Sequence, residues 1–300
     1  MKVLAVVVTH NRRELLSRCI DHLLAQTCAP ESILVLNNAS TDGTAEMLHE
    51  RGIPFLTQEN VGSAGGWHRG IEEALAQDFD AVWLMDDDGF PDEKALGILK
   101  SALRSGISCA ASVVLRENQP SHFVFPFPIL DNDGLPVLFR HPRKLATLSE
   151  LSAISPDGRY PFAHLFNGAL VAVTAIRKVG NVDRDFFMFG DEVDYFFRLR
   201  SAGAVVSVLG AAHYHPDVAQ RPYTPAKAYY YLKNTLVLNT RYFNSVPVRH
   251  LAAIAAVLGR TARRNGVAAA LSLLAGPNAS AFYSGLLRGL QGKIGKDFNG

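Results

Sequence analysis

The sequence predicts an α/β protein built on a mostly parallel sheet, with helices on both faces of the sheet. Two observations carry this prediction. Over the first 100 residues, short apolar segments rich in β-branched residues alternate with segments whose apolar residues recur at helical spacing. The connections between these segments are short, as in strand–helix–strand units that place parallel strands side by side.

The predicted elements follow in regular order. Strands are expected at 2–8, 32–38, 54–59 and 81–86, and helices at 13–26, 42–52 and 65–77. After residue 165, strands are expected at 167–173 and 204–210, and helices at 174–180 and 191–203. Between these two blocks, residues 116–165 are rich in Pro and Phe and predict an irregular flap with a hairpin turn at "DNDG" (131–134). The chain after residue 225 reads as helices.

Composition excludes several classes of protein. Hydrophobic residues make up 48% of the chain and charged residues 19%, which is typical of a folded domain rather than a disordered one. The three cysteines lack metal-site spacing, so a reduced, cytoplasmic setting is expected. The first residues read as a buried strand rather than a signal peptide, and no stretch has the ~18 apolar residues of a membrane span.

Polar side chains collect where three predicted strands end. The segments are His10–Arg12, Asn37–Asp42 and Asp86–Asp88. Ligands bind beyond the carboxyl ends of the strands in open parallel sheets, so the three segments predict a binding site at one edge. Three adjacent carboxylates repel one another, and a divalent cation such as Mg²⁺ or Mn²⁺ would reverse that repulsion. The alternative is that one aspartate caps a helix and the others are solvated.

The common phosphate-binding loops are missing from the expected places. No glycine-rich turn ends in Lys-Ser or Lys-Thr, and no G-x-G-x-x-G follows the first strand. The glycine-rich "GSAGG" (62–66) follows the third strand instead. The loop "NNASTDGT" (37–44) offers short polar side chains to a ribose or base edge, or alternatively leads to a helix cap at Asp42.

Six segments in order carry a resemblance to a known family. They are "VVVTHNR", "VLNNASTDGT", "ENVGSAGGWHRG", "WLMDDDGFP", "FNGALVAV…VG…FFMFGDEVDYFFRLRSAG" and "GAAHYHP". Together they resemble the inverting family 2 glycosyltransferases, which have a GT-A fold, and especially their bacterial galactofuranosyltransferase and rhamnosyltransferase branch. The resemblance implies a catalytic domain over residues 1–240, with 116–165 as a flap on the acceptor side, followed by a helical tail over 241–300.

The resemblance also implies a site for a nucleotide-sugar donor. The residues expected to contact the donor are Thr9, His10, Asn11, Arg12, Asn37, Asn38, Asp42, Asn60, Gly65, Gly66, Trp67, Asp86 and Asp87. Asn37 stands where the family usually has an aspartate that reads the base or ribose. An amide can still form a hydrogen bond there, but it carries no charge.

The metal ligands and the catalytic base are implied in the same way. Asp86 and Asp88 match the family's D-x-D pair, and His215 matches a histidine that binds the metal, with His213 as second choice. Glu192 falls on the position of the base, and Asp191 precedes it. Inverting transfer does need one base and one positive charge at the leaving diphosphate. The alternative is that these two acids simply favour the start of a helix.

The implied reaction is transfer of a sugar, with inversion, to a glycan or lipid-linked glycan. The implied donor is UDP-galactofuranose, with dTDP-rhamnose next, and Mn²⁺ or Mg²⁺ is the implied cofactor. Two alternatives stay open: a sugar nucleotidyltransferase, which would carry a basic glycine-rich loop after the first strand, and a non-catalytic protein that binds nucleotide sugars. Nucleic acid is not an expected partner, because the basic cluster lacks interleaved aromatic residues.

The tail has its own charge pattern. Residues 241–300 contain eight basic residues and one acid, Asp297, although the whole chain has a net charge of only +2. Within 249–266 an apolar face is expected beside three arginines, its members being Leu251, Ile254, Leu258 and Ala262. A basic amphipathic helix predicts peripheral binding to the inner face of the plasma membrane. Packing on the catalytic domain, or on a second copy in a homo-oligomer, is the alternative.

Overall fold

The computed structural model describes residues 1–218 and 223–298, and it divides into two compact units. The first unit comprises Met1–Val182 and Tyr195–Asp217. The second comprises Asp183–Asp194 and the chain from Val218 onward, so the segment that leads into the predicted acid pair groups with the C-terminal helices. The division of the sequence at residue 240 into a catalytic domain and a tail stays a prediction.

The strands all lie in the first unit. They are β1 (Val3–Thr9), β2 (Ser32–Asn37), β3 (Phe55–Thr57), β4 (Ala81–Asp86), β5 (Phe90–Pro91), β6 (Ile107–Arg116), β7 (Gln119–Pro128), β8 (Lys144–Thr147), β9 (Arg159–Tyr160), β10 (Asn167–Ala172) and β11 (Ala204–His215).

The helices lie in both units. They are α1 (Arg13–Leu24), α2 (Thr44–Glu50), α3 (Gly62–Ala76), α4 (Ala95–Ala102), α5 (Leu148–Ala153), α6 (Val173–Val179), α7 (Asp191–Ala202), α8 (Pro225–Tyr242), α9 (Val246–Asn265), α10 (Val267–Leu274) and α11 (Ala279–Leu290). A short 3₁₀ helix, Arg184–Phe186, precedes α7.

The main sheet has the strand order β3-β2-β1-β4-β10-β6-β11-β5. Its first four strands are mutually parallel, as the alternation of strands and helices predicts. Strand β10 runs antiparallel to both β4 and β6, and β11 runs parallel to β6. The sheet is therefore mixed, with a parallel half that places the ends of β1, β2 and β4 along one edge.

Both faces of the sheet are buried. Along β1, Val3, Ala5 and Val7 pack into one hydrophobic cluster, whereas the intervening Leu4, Val6 and Val8 pack into another. Successive side chains of a strand point to opposite faces, so a strand covered on both sides must be apolar throughout. This explains the unbroken apolar run that opens the sequence.

Two glycines of α3, Gly66 in "GSAGG" and Gly70 one turn later, allow the helix to pack closely on the sheet. The helix begins at Gly62, three residues earlier than the sequence predicts. A Cβ atom at Gly66 would lie 2.5 Å from Cγ1 of Val8, and one at Gly70 would lie 2.4 Å from Cγ1 of Val6. Only glycine allows the helix to approach β1 this closely.

The flap contains more regular structure than the sequence predicts. Strands β7 and β8 pair with each other, and β7 also pairs with β6. The turn predicted at 131–134 is confirmed, because the amide of Gly134 donates to the carbonyl oxygen of Asp131 at 2.9 Å. Gly134 has a φ of 72°, which explains why glycine closes this turn.

The second unit packs helices α8 to α11 around its own core. Leu232, Leu236, Val257, Leu273 and Phe282 contribute to that core, one or two from each helix. Its C-terminal segment is tied down by Asp297, whose carboxylate accepts from Lys233 at 2.6 Å, Tyr229 at 2.8 Å and Arg288 at 2.7 Å.

None of the helices within the described ranges has both the length and the apolar character that crossing a membrane requires.

Candidate active site

Two of the three aspartates at the end of β4, Asp87 and Asp88, share a neighbouring positive charge. Nη1 of Arg12 lies 2.8 Å from Oδ1 of Asp87 and 2.8 Å from Oδ2 of Asp88. The hydroxyl of Thr9 donates to Oδ2 of Asp87 at 2.7 Å. Thr9 and Arg12 come from the end of β1, so the parallel pairing of β1 and β4 delivers both partners. The amide of Asp86 donates to the carbonyl oxygen of Phe166 at 2.9 Å, which fixes the strand end.

Burial governs the ionisation of this loop. Asp87 and Asp88 are both 2% exposed, whereas Asp86 is half-buried. Burial raises the pKa of Asp87, although Arg12 and the Thr9 hydroxyl act to lower it. A buried carboxylate is costly unless it is paired, so the loop depends on nearby positive charge.

His215 meets the same loop from β11. Its Nε2 lies 2.8 Å from Oδ1 of Asp88, and the imidazole is 2% exposed. Its Nδ1 lies 2.7 Å from the carbonyl oxygen of Pro216, which can only accept a hydrogen bond, so Nδ1 carries a proton. In the neutral ring the lone pair of Nε2 therefore faces a carboxylate oxygen. A neutral imidazole and an ionised carboxylate would repel at this distance, and a metal ion bound by both atoms would make the contact favourable.

His213 has a different environment from His215. It is fully buried, and neither of its ring nitrogens has a hydrogen-bond partner among the described residues. Burial, with help from His215, lowers its pKa to about 3, so the ring is neutral. Its Nε2 lies against Gly89, where a Cβ would be only 2.3 Å away. Of the two histidines, His215 is the one in contact with Asp88.

The chemistry of Asp88 and His215 fits a divalent cation. Carboxylate oxygens and an imidazole nitrogen are ligands that Mn²⁺ accepts, and Mg²⁺ accepts the oxygens. Within residues 1–218 and 223–298, however, no group of three His, Cys, Asp or Glu side chains is arranged to hold a metal ion. The structure therefore brings two of the three predicted ligands together, and the role of Asp86 stays a prediction.

The predicted donor loops after β1 and β2 hold each other in place. Asn11 has a φ of 51°, and its Oδ1 accepts from the amide of Thr41 at 2.7 Å. Nδ1 of His10 lies 2.7 Å from the carbonyl oxygen of Asn38. The structure thus brings these two loops together, as their places at the strand ends predict.

Two further polar residues of the second loop are engaged with its backbone. Oδ1 of the buried Asn37 accepts from the amide of Ser40 at 2.9 Å. Asp42 accepts from the amide of Arg13 at 2.9 Å and from the amide of Thr44 at 3.2 Å, the first residues of α1 and α2. Asp42 therefore binds the backbone at the start of both helices, although Gly43 rather than Asp42 is the N-cap of α2. Donor contact by Asn37, Asn38 and Asp42 stays a prediction.

The predicted donor residues in and before α3 make contacts within the fold. Oδ1 of Asn60 accepts from the amide of Gly62 at 3.1 Å, at the start of the helix. Gly65, Gly66 and Trp67 are buried within α3, and the Trp67 ring stacks on Phe166 with 4.7 Å between centroids. Their predicted contact with a donor is not tested by this packing.

The acid pair begins α7 in the second unit. Asp191 is buried, and burial together with the neighbouring Glu192 raises its pKa to about 7. Glu192 is half-buried. Well below pH 7 Asp191 is therefore largely protonated.

Arg18 is a further charged residue at the aspartate loop that the sequence did not single out. It lies on α1, where an arginine at helical spacing reads as an ordinary surface residue. Its Nη2 donates to the carbonyl oxygen of Asp88 at 3.3 Å, and its Nη1 lies 2.9 Å from Oε2 of Glu117. The guanidinium also lies over the Phe90 ring at 4.6 Å from the centroid.

Comparison with known proteins places the chain in a family. The model of glycosyl transferase family 2 matches residues 4–141. The galactofuranosyltransferase GlfT1 of Mycolicibacterium smegmatis is 35% identical over 220 residues, which cover 71% of this chain and 70% of that protein. GlfT1 of Mycobacterium tuberculosis is 34% identical over 223 residues, with the same coverage.

Solved structures share the fold at low sequence identity. GalNAc-T7, solved with UDP, GalNAc and Mn²⁺, matches with a TM-score of 0.61 and 13% identity over 82% of this chain and 49% of its own longer chain. The mannosyltransferase PcManGT of Pyrobaculum calidifontis, solved with GDP-Man and Mn²⁺, matches with a TM-score of 0.53 and 14% identity over 95% of this chain and 79% of its own. The predicted GT-A fold is confirmed. The chain belongs to the family 2 glycosyltransferases and resembles their galactofuranosyltransferases.

Proposed function

We propose that this glycosyltransferase moves galactofuranose from UDP-galactofuranose to a glycan or lipid-linked glycan, with inversion and with the help of Mn²⁺ or Mg²⁺. The observation that carries the proposal is the contact between Asp88 and His215 at the carboxyl end of β4. The choice of sugar follows the two relatives that are named galactofuranosyltransferases and share about a third of their residues with this chain.

Asp88 and His215, with Asp86, would hold the cation. Mn²⁺ is present in the solved structures of GalNAc-T7 and PcManGT, which share this fold. When bound, the cation supplies positive charge that stabilises the leaving diphosphate. The Pro216 carbonyl holds the protonated Nδ1 of His215, and this directs Nε2 toward Asp88. Arg12, on the same carboxylates, adds a second positive charge.

Glu192 is the proposed base. A single displacement with inversion needs one carboxylate that takes the proton from the acceptor hydroxyl. Burial and the neighbouring Glu192 raise the pKa of Asp191 to about 7, so well below that pH Asp191 is largely protonated and is a poorer acceptor for the proton. The partial exposure of Glu192 also leaves it accessible to an acceptor, unlike the buried Asp191.

The donor nucleotide is assigned to the loops after β1 and β2. These loops, Thr9–Arg12 and Asn37–Asp42, lie beside each other and present amide, hydroxyl and guanidinium groups. In this arrangement Asn37 offers an amide in place of the usual carboxylate, and its Oδ1 is already engaged by Ser40. We assign Asn37 to shaping the loop as well as to the base or ribose.

The two alternatives lose support. Membership of family 2 argues against a sugar nucleotidyltransferase, and the loop after β1 carries no glycine-rich basic segment. A non-catalytic binding protein would have no need for a paired Asp88 and His215 together with a raised pKa at Asp191. An active transferase accounts for both the Asp88–His215 contact and the raised pKa of Asp191.

The proposal is tested by comparing donors. Purified protein with Mn²⁺ is incubated with UDP-galactofuranose, UDP-galactopyranose or dTDP-rhamnose, and release of the nucleoside diphosphate is measured with and without a galactan acceptor. We expect release from UDP-galactofuranose to exceed release from the other two by at least about tenfold, because a sugar-shaped pocket discriminates by a few kcal/mol. A higher rate with dTDP-rhamnose would reassign the donor, and no release from any nucleotide sugar would contradict the proposed activity.

Peripheral membrane binding is part of the proposal, but the surface differs from the one the sequence indicated. On α9, Ile254 and Leu258 pack against the core of the second unit, whereas Leu251 is exposed. The packing alternative therefore holds for those two residues. Exposed apolar side chains lie instead mainly on α10 and α11: Val267, Leu271, Leu274, Tyr283, Leu287 and Leu290. On each helix these side chains recur at i, i+4 and i+7, so they form one row along the helix. The Tyr283 hydroxyl donates to the Leu274 carbonyl oxygen at 3.0 Å, so the row on α10 is in contact with the row on α11.

The charge of this region favours an anionic lipid surface. From Arg241 to Lys296 the chain contains eight basic residues and no acid, and Asp297 is ion-paired with Lys233 and Arg288. Apolar side chains surrounded by basic residues bind anionic bilayers at the level of the headgroups. A lipid-linked acceptor would be met at such a surface.

We expect the double variant Leu271→Ser, Leu287→Ser to lose binding to phosphatidylserine-containing vesicles. These side chains are 59% and 58% exposed, so their loss should leave the fold intact. Phe139→Ser, which removes an 87% exposed ring from the first unit, is the matched control and should bind as the wild type does. Binding, measured by co-sedimentation, should also weaken with salt, because charge is screened within about 8 Å at physiological ionic strength. Equal binding by both variants would contradict this surface.

A further inference from the structure

The loop that leads into the acid pair has an unusual backbone. Between Phe186 and Asp191, positive φ angles occur at Phe187 (59°), Phe189 (60°) and Gly190 (97°). Glycine adopts this region freely, but a bulky L-residue does so only at a cost in free energy. Two such phenylalanines within three residues persist only where the surrounding structure determines them.

The side chain of Asn234 on α8 holds this loop in its conformation through hydrogen bonds. Its Nδ2 lies 3.1 Å from the carbonyl oxygen of Phe186, 3.0 Å from that of Met188 and 2.7 Å from that of Phe189. One amide with two hydrogens therefore serves three carbonyl groups, so the loop is folded around this side chain. Asn234 is 1% exposed, and an apolar residue in its place would remove this donor from all three carbonyl groups, of which that of Phe186 would keep only the amide of Met188.

The fit of the loop around Asn234 is tight. A Cβ at Gly190 would lie 3.1 Å from Cβ of Asn234 and 2.9 Å from Cδ1 of Phe186. Gly190 therefore serves both the backbone angle and the space beside Asn234. The next residue in the chain is Asp191, the first residue of α7. The conformation of the loop therefore sets the orientation of the first turn of α7, which carries the acid pair.

Helix α8 also holds the chain just after the acid pair. The buried Asp194 accepts from the hydroxyl of Tyr242 at 2.7 Å, and Nη1 of Arg241 lies 3.3 Å from the same oxygen. Asn234 and Tyr242 thus fix the chain on either side of Asp191 and Glu192. Both contacts come from a helix that the sequence places outside the motifs of the family.

We propose that Asn234 is a positioning residue for glycosyl transfer, acting through the loop 186–190 to orient the acid pair. The proposal rests on the proposed role of Glu192 as the base. It gives Asn234, a residue of α8 within the predicted catalytic domain 1–240, an indirect part in catalysis. Asn234 touches neither donor nor acceptor in this assignment, so its replacement affects turnover and leaves donor affinity unchanged.

The test compares Asn234→Ala with Asn239→Ala in the full-length protein. Asn239 is also a buried asparagine of α8, but its amide contacts Nδ1 of His250 rather than the loop. We expect Asn234→Ala to lower kcat by at least about tenfold while the dissociation constant of the donor stays within about twofold. Hydrogen exchange of amides 187–192 should rise in this variant alone. Asn239→Ala should keep kcat within about twofold of the wild type.

Repeating the test in Glu192→Gln protein distinguishes failure of this inference from failure of the proposed function. In Glu192→Gln protein, adding Asn234→Ala should cause little further loss, because residues that act through one group are not additive. If Asn234→Ala and Asn239→Ala have equal kcat while Glu192→Gln is impaired, Asn234 only stabilises the fold and the inference is wrong. If Glu192→Gln keeps its turnover, the base itself is misassigned. Should Asn234→Ala fail to fold, Asn234→Ser leaves at most one donor for the three carbonyl groups, and kcat equal to that of Asn239→Ala would then overturn the inference.

Discussion

Replacing Asp88 by Asn is expected to lower turnover by about 10²- to 10³-fold or more, the range in which loss of one electrostatic contact to a developing charge falls. The carboxylate of Asp88 is shared between Arg12 at 2.8 Å and His215 at 2.8 Å. An amide keeps the shape of the side chain but removes the negative charge that we propose holds a cation together with His215. Turnover is measured with the true donor across a titration of Mn²⁺.

Asp80→Asn is the matched control for this experiment. Asp80 precedes the opposite end of β4, where its carboxylate accepts from the amide of Lys2. It should retain wild-type turnover, and both variants should show the far-ultraviolet circular dichroism of the wild type. Full turnover of the wild type in excess chelator, or equal turnover of the two variants, would show that no metal acts at Asp88.

Glu192→Gln should lower turnover by about 10²-fold or more, since general-base catalysis is worth about 10²- to 10⁴-fold. The amide cannot accept the proton of the acceptor hydroxyl. Donor affinity, measured by calorimetry, should not change, because the variant leaves the groups around Asp88 intact. Glu14→Gln, an exposed acid in the first turn of α1, serves as the control.

Asp191→Asn should lose less turnover than Glu192→Gln when both are assayed well below pH 7. Burial already keeps Asp191 protonated in that range, so a neutral amide resembles its working state. If instead Asp191→Asn is the inactive variant and Glu192→Gln is nearly normal, the base lies one residue earlier in the chain.

The parallel half of the sheet could be predicted because its signals are local. Strand β1 is apolar at every position and α1 is apolar on one face, so periodicity alone separates them. Strand β6 carries the equally apolar "ISCAASVVLR", but it is followed by the Pro- and Phe-rich flap, and no alternation marked it as a strand of the main sheet. Strand β10 was predicted, but nothing in its sequence gave its antiparallel direction.

The site could be predicted only in part for a related reason. The D-x-D pair and His215 stand in recognisable motifs, and the structure brings Asp88 and His215 into contact. Arg18 and Asn234 stand in none. Arg18 and Asn234 matter because they donate hydrogen bonds to carbonyl groups that become their neighbours only when the chain folds. The positive φ angles at Phe187 and Phe189 cannot be predicted from composition or from hydrophobic periodicity.

The stereochemistry of the product tests the proposed reaction most directly. The wild-type enzyme is given UDP-α-galactofuranose, Mn²⁺ and a synthetic galactan acceptor, and the configuration at the new anomeric carbon is determined by nuclear magnetic resonance. A single displacement in which Glu192 deprotonates the acceptor predicts a β-linked galactofuranosyl product. An α-linked product would mean retention, which requires a different mechanism and would contradict the role given to Glu192.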